Sequence, residues 1–394
     1  MIITNRKKNY IYFNKNTNKT HDNIFDLLNV DIVKFASLQN HEKNISNFFI
    51  RPDLYQEVLH GIYPIPPQTR WLYDEGKFFC LNDTSVNFNT NFSDFLYTIR
   101  RLSSVLRNKK IAIELSGGLD TSLIIGLMHH LGINPFLIGI RSKRYELRTE
   151  AFVQDDFCKK FNNVQFINGE KTLPFTKITE APRHQLPSSS SIYFMFAKLM
   201  AKECNSNNID ILLSGMGFDA LLCDNIYSNG SNKVPNHWFK WVLDDHWFNE
   251  NVYSKMNITY KSAAYSQLLI KLIWLLRSGQ DEDSKKVWAR NFFKDFLPKE
   301  LVYYSYKADN SGGFLDGFLN AKKEIEKIFR LAYAVTEYKE FSPVALEDLY
   351  YNSHLVDEKK DKKIIATVSF AIWIYTLIRD KAIDYKYDIN LNYI

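Results

Sequence analysis

The sequence predicts an α/β fold. A parallel sheet interleaved with helices is followed by a helical C-terminal part and preceded by a small, mostly β N-terminal domain. Three observations lead there. Between residues 111 and 213, short apolar runs alternate with longer stretches of helical spacing. Beyond about residue 235, helical spacing dominates. Residues 1–95 are rich in Asn and aromatic side chains and contain a hairpin signal.

Within residues 1–95, Trp71-Leu72-Tyr73 and Phe78 to Leu81 read as paired strands with Glu75-Gly76 in the turn. The segment Gly61 to Pro67 carries three prolines and is expected to break regular structure. From residue 96 onward lies the second expected domain, 96–394. Its first strand is Ile111 to Leu115, and a helix over Thr121 to Leu131 stops at Gly132. Strands at Phe136–Ile140, Val164–Ile167 and Ile209–Leu213 follow, with helices at Thr149–Phe161 and Ile192–Cys204 between them. Helices are also expected over Ala263–Leu276, Val287–Phe296, Ala321–Ala334 and Ile364–Arg379. Ser188 to Ser191 reads as a loop and helix N-cap, and Lys359 to Lys363 as a solvated charge run.

Composition narrows the function classes. The chain has 394 residues, 45% hydrophobic and 24% charged, as in ordinary globular proteins. Its net charge of +6 is mild and its basic residues are scattered among acids, so a nucleic-acid partner is not implied. Cys80, Cys158, Cys204 and Cys223 have neither zinc-site spacing nor a disulfide pattern, so a reducing cytoplasm is the default location. The run Ile364 to Ile378 is too short for a comfortable membrane span and reads as a buried helix. His129-His130 has no third candidate ligand, which favours packing over metal binding.

The chemistry concentrates in two glycine turns. Leu115-Ser116-Gly117-Gly118-Leu119-Asp120-Thr121-Ser122 leaves the first strand and opens the first helix. Gly117 and Gly118 let the backbone turn sharply, and a helix N-terminus attracts an anion. Ser116, Thr121 and Ser122 add hydroxyls. Asp120 makes sense in an anion site if a divalent cation bridges it to phosphate. The Walker pattern GxxxxGKS/T is absent, so an ordinary P-loop NTPase is not supported. The second turn, Ser214-Gly215-Met216-Gly217-Phe218-Asp219, follows the fourth strand.

These two strings resemble the SGGxDS pyrophosphate loop and the SGxGxD motif of the asparagine synthetase branch of the ATP pyrophosphatases, which includes asparagine synthetases, β-lactam synthetases and lasso-peptide cyclases. The likeness covers roughly residues 55 to 320. Thr149 to Phe152 is similar to the family's acidic helix-opening segment, and Gly61 to Pro67 to the end of its glutaminase-like domain. The resemblance implies a Rossmann-like synthetase domain that splits ATP to AMP and pyrophosphate. It further implies Mg²⁺ held by Asp120 and Asp219, with nucleotide contacts from Leu115, Ser116, Gly117, Gly118, Asp120, Thr121, Ser122 and Gly215.

Departures from the pattern shape the expected reaction. Ile2 stands where a glutaminase would carry its cysteine, so residues 1–95 are expected to be a reduced glutaminase-like domain without a nucleophile. Met216 replaces the Glu of asparagine synthetases and the Tyr of β-lactam synthetases, so any general base lies elsewhere. Ala220 replaces the usual acid after the magnesium aspartate. Tyr306-Lys307-Ala308-Asp309-Asn310-Ser311-Gly312-Gly313 resembles the late lysine loop of β-lactam synthetases, which makes Lys307 the expected catalytic residue. A fixed cation beside a developing oxyanion contributes several kcal/mol, roughly 3–4 by analogy with an oxyanion donor.

The expected function is therefore an ATP- and Mg²⁺-dependent ligase that adenylates a carboxylate and forms an amide. A lasso-peptide-like macrolactam cyclase is preferred among its versions. Its partners would be a precursor peptide, a leader-binding protein and a leader peptidase. Cyclisation of a small amino acid derivative and ammonia-dependent amidation remain open. Two other classes are sulfur transfer by the same ATP chemistry and non-catalytic nucleotide binding. The first lacks its cysteine pairs and basic platform here.

Overall fold

The computed structural model describes residues 2–4, 11–14, 19–21, 62–65, 70–74, 77–80, 100, 104, 106, 108–142, 148–184, 187–218, 222, 236–262, 286–303, 311–336, 339–352 and 358–380. Six short strands precede residue 81: β1 Ile2–Thr4, β2 Ile11–Asn14, β3 Lys19–His21, β4 Ile62–Ile65, β5 Arg70–Asp74 and β6 Lys77–Cys80. They form two antiparallel three-stranded sheets, in the orders β1-β5-β6 and β3-β2-β4. The expected hairpin is present, since Asp74 pairs with Lys77 and leaves Glu75-Gly76 as the connection. Gly61 to Pro67 departs from expectation, because Ile62–Ile65 is a strand. Pro64 is tolerated there because β4 is an edge strand, where a missing N–H breaks no ladder. The expected boundary at residues 95–96 lies outside the described residues.

The larger sheet has five parallel strands: β7 Ile111–Leu115, β8 Phe136–Arg141, β9 Val164–Asn168, β10 Ile211–Ser214 and β11 Thr259–Ser262. Their order is β11-β10-β7-β8-β9. The chain builds outward from β7 through β8 to β9, then crosses to the other side of β7 to lay down β10. The order therefore reverses between β7 and β10, and such a switch point opens a crevice at the strands' carboxyl ends.

Alternation along the strands divides the core in two. Ile111, Ile113 and Leu115 face helices α1 (Leu119–His130) and α2 (Arg148–Lys160). Ala112, Ile138, Leu212 and Tyr260 face α3 (Phe194–Ser206), α4 (Asn236–Ser254) and the C-terminal helices. The opposite faces follow from the period-two side-chain alternation of a strand. Both faces are buried, as a parallel sheet requires.

Most expected elements appear with small shifts at their ends. The stretch 287–296 splits into α5 (Val287–Phe292) and a short 3₁₀ turn, Lys294–Phe296. Beyond it lie α6 (Lys299–Tyr303), α7 (Ser311–Asn320), α8 (Lys322–Thr336), α9 (Pro343–Asn352) and α10 (Glu358–Arg379). Residues 263–276 lie outside the described residues. The strand β11 was not expected, because Thr-Tyr-Lys-Ser has little apolar patterning. It forms because its backbone pairs with Ile211–Ser214.

Helix α10 is the buried C-terminal helix that the sequence predicts, with Ala366 to Leu377 enclosed throughout. It is anchored by Trp373 Nε1 donating to the His184 carbonyl at 2.9 Å. Arg379 donates to the carbonyls of Thr179 at 2.7 Å and Ala181 at 2.9 Å. Among the described residues, no helix is long and apolar enough to cross a membrane.

Candidate functional site

The Ser116 turn sits at the carboxyl end of β7, beside the switch point. Gly117 has φ +85°, and a Cβ there would fall 2.3 Å from the Glu150 carbonyl oxygen at the start of α2. Only glycine meets both demands. The Ser116 hydroxyl lies 2.8 Å from Thr121 Oγ1 and accepts the Gly118 N–H at 3.1 Å. Gly118 precedes α1 with no side-chain cap, so that helix N-terminus is left open to an anion. Ser122 Oγ is buried in the first turn of α1 without a hydrogen-bond partner. A bound phosphate offers such a hydroxyl an acceptor.

Gln154 of α2 holds this turn in place. Its Nε2 lies 3.0 Å from the Leu115 carbonyl, 3.3 Å from that of Ser116 and 3.2 Å from that of Ile140. Arg141 Nε in turn donates to Gln154 Oε1 at 3.2 Å. A fully buried amide thus ties the ends of β7 and β8 together, at 1% exposure. Nothing in the local sequence around Gln154 announces this role.

The second turn lies directly against the first. A Cβ on Gly215 would stand 2.9 Å from Thr121 Cγ2, 3.0 Å from the Thr121 nitrogen and 3.2 Å from Asp120 Cβ. The Met216 N–H donates to Ser214 Oγ at 3.1 Å, and the Met216 carbonyl accepts Ser262 Oγ of β11 at 2.5 Å. Met216 Sδ is 3.8 Å from the Tyr260 hydroxyl and 3.9 Å from Asn249 Nδ2. Behind this turn, the buried Asp245 carboxylate accepts the Ser188 and Ser189 hydroxyls at 2.6 Å each and the Ser190 N–H at 2.8 Å. The serine run does cap a helical turn, Ser189–Tyr193, through Ser188. Its other task is to give a buried acid hydrogen-bond donors.

Two charged residues are unexpected parts of the site. Lys286, just before α5, donates to Asp120 Oδ1 at 2.7 Å, with both side chains largely enclosed at 11% and 18% exposure. Glu114, inside the apolar run of β7, accepts the Ser214 hydroxyl at 2.5 Å. Burial pushes the Glu114 carboxyl up to about 7, against the lowering effect of that hydrogen bond. An acid within a buried strand was the available sequence signal for Glu114. Lys286 offered none, being far from Asp120 in the chain.

A cleft of about 340 Å³ opens beside the Ser116 turn, at the ends of β7 and β8. Its apolar wall includes Ile138, Ile140, Phe196, Met200 and Phe314. Glu114, Ser116, Ser142, Glu150, Gln154, Thr172 and Tyr193 carry its polar side-chain groups, and no Lys, Arg or His is among the described residues lining it.

Of the expected site residues, Leu115, Ser116, Gly117, Gly118, Asp120, Thr121, Ser122 and Gly215 come together at the switch point. Asp219 and Lys307 lie outside the described residues. The donor set suits a phosphate. Of the two aspartates expected to hold Mg²⁺, the described residues include Asp120, which is paired with Lys286. The described residues contain no cluster of three or more His, Cys, Asp or Glu able to hold a metal. That is compatible with Mg²⁺ chemistry, in which one or two carboxylates join substrate phosphates and water. His129 and His130 are exposed and pack edge-on against Phe161 and Phe296, which is the packing role expected of them. No family model matches the chain, and no curated protein matches it.

Proposed function

We propose that this chain is an AMP-forming, ATP-dependent ligase that adenylates a carboxylate and joins it to an amine. One observation carries the reading. Two glycine turns of the kinds that bind pyrophosphate in ATP pyrophosphatases abut each other at the switch point, with Gly215 pressed onto Asp120 and Thr121. Contact between them would let a single polyphosphate span both. The open N-terminus of α1, the Ser116 and Thr121 hydroxyls and the buried Ser122 hydroxyl suit phosphate oxygens. Asp120, together with Asp219, would hold Mg²⁺, which supplies charge neutralisation of the pyrophosphate when bound. Lys286 would then be released from Asp120 toward the phosphates, and Lys307 would steady the charge of the reacting centre.

Within this class, the preferred version remains macrolactam cyclisation of a precursor peptide. An amine tethered beside the activated carboxyl gains a large effective concentration. The cleft favours keeping the small-substrate version beside it. About 340 Å³ accommodates a nucleoside-sized group but not a folded peptide as well. A peptide would have to enter the crevice from outside the cleft.

The test has two stages. Incubation with Mg²⁺-ATP and labelled pyrophosphate, in the presence of candidate carboxylates and peptides, should give exchange of label into ATP. ADP and phosphate as products would refute the assignment. Mass spectrometry then separates the versions, with loss of one water from a peptide supporting cyclisation. Efficient asparagine formation from aspartate and ammonium, with no dehydrated peptide, would overturn it.

A further inference from the structure

Glu114 stands out as an acid inside an apolar strand whose one hydrogen bond, to Ser214 of the second turn, uses only half of its carboxylate. Strand β7 reads Ile-Ala-Ile-Glu-Leu, and its other four residues are buried and apolar. Glu114 shares the face of Ala112, and its backbone is paired with Ile138 of β8. One carboxylate oxygen, Oε2, takes the Ser214 hydroxyl. The other, Oε1, has no hydrogen-bond partner among the described residues. The residue lines the cleft, between the apolar wall and the Ser116 turn. That second oxygen borders the cleft, where a ligand can offer it a donor.

The rest of the cleft limits what that ligand can be. Its wall is apolar and includes the rings of Phe196 and Phe314, a surface suited to a flat ring. No basic residue is among the described lining, so the cleft offers an anionic group no charge partner. The open oxygen is single, so it matches one donor rather than a paired donor edge.

We propose that Glu114 reads the base of the nucleotide, selecting a purine that carries an amino group where inosine and guanine carry an oxygen. The inference rests on the adenylating reading above. The phosphates lie in the Ser116 turn, and the base extends along β7 and β8 into the cleft. The amino group donates to Oε1 while Ser214 keeps Oε2 oriented. The exocyclic carbonyl oxygen of inosine or guanine at the same position meets the carboxylate oxygen of ionised Glu114 and is rejected. Glu114 is a specificity residue on this reading, and the chemistry at the phosphates does not pass through it.

The experiment is equilibrium binding of ATP, ITP and GTP, with Mg²⁺, to the full chain and to Glu114→Gln and Glu114→Leu. Wild type should bind ATP about tenfold or more tighter than ITP, the scale of one hydrogen bond to a charged group. Glu114→Leu should lose most of that ATP preference. Glu114→Gln can turn an N–H toward that exocyclic oxygen, so it should bind ITP more tightly than wild type does, bringing the ratio near one. This gain cannot arise from a damaged fold. Equal wild-type affinity for ATP and ITP would overturn the Glu114 assignment alone, as would tighter binding of GTP or an unchanged ratio in Glu114→Gln. Failure of wild type to bind any of the three nucleotides would remove the ligase reading and this inference with it.

Discussion

Replacing Asp120 by Asn tests the site's electrostatics as well as its chemistry. Lys286 Nζ lies 2.7 Å from Asp120 Oδ1, and the two side chains are 11% and 18% exposed. At an effective dielectric near 20, charges that close attract by about 6 kcal/mol before desolvation is counted. Removing one partner of a buried pair costs up to about 3–5 kcal/mol, because the other charge loses its ion pair. The residual exposure and the hydrogen bond that Asn still accepts reduce this to about 2–3 kcal/mol. Lys286→Met should cost less. Asp120 left alone still lies in the first turn of α1, where the helix dipole favours a negative charge. The double variant Asp120→Asn/Lys286→Met removes the cation that lost its ion pair and should recover part of the loss. Thermal melts check the ranking, with Asp120→Asn about 2–4 °C below wild type for a chain of this length. Pyrophosphate exchange should vanish in Asp120→Asn and stay absent in the stabilised double variant, which separates the chemical role from the structural one. A single Asp120→Asn variant as stable as wild type would refute the reasoning. So would a double variant less stable than Asp120→Asn.

Three further outcomes are expected. Gly117→Ala should destabilise by about 1–3 kcal/mol or more and weaken ATP binding, because the residue has φ +85° and faces the Glu150 carbonyl; melts and nucleotide titration measure both. Glu114 holds its proton more tightly in the fold, at about 7 against 4.5, so its burial penalises folding increasingly as pH rises from 4.5 and fully above about 7. Glu114→Gln should therefore match wild-type stability near the lower value and exceed it by up to about 3 kcal/mol above the upper one, as read by urea denaturation across pH. Lys307→Ala should lower kcat strongly while changing ATP affinity little, whereas a raised KM alone would assign Lys307 to ground-state phosphate binding.

What the sequence by itself determined is local. The strand, glycine turn and helix from Ile111 to His130 were legible because apolar runs, Gly117-Gly118 and the following helical spacing act on neighbouring residues. The Glu75-Gly76 hairpin and the buried α10 were legible for the same reason. Tertiary structure decided what depends on partners distant in sequence. A weakly patterned Thr-Tyr-Lys-Ser became an edge strand because Ile211–Ser214 offered its backbone a ladder. Ile62–Ile65, with Pro64 inside it, became a strand at a sheet edge by pairing with Ile11–Asn14. Gly215 gained its close approach to Thr121 only through the β7–β10 pairing, which sets the two turns side by side. Lys286 met Asp120, and Gln154 gathered three carbonyls, across long stretches of chain. Propensity and periodicity report short-range sterics and burial, while ion pairs and shared hydrogen bonds are fixed by packing that brings remote residues within about 3 Å.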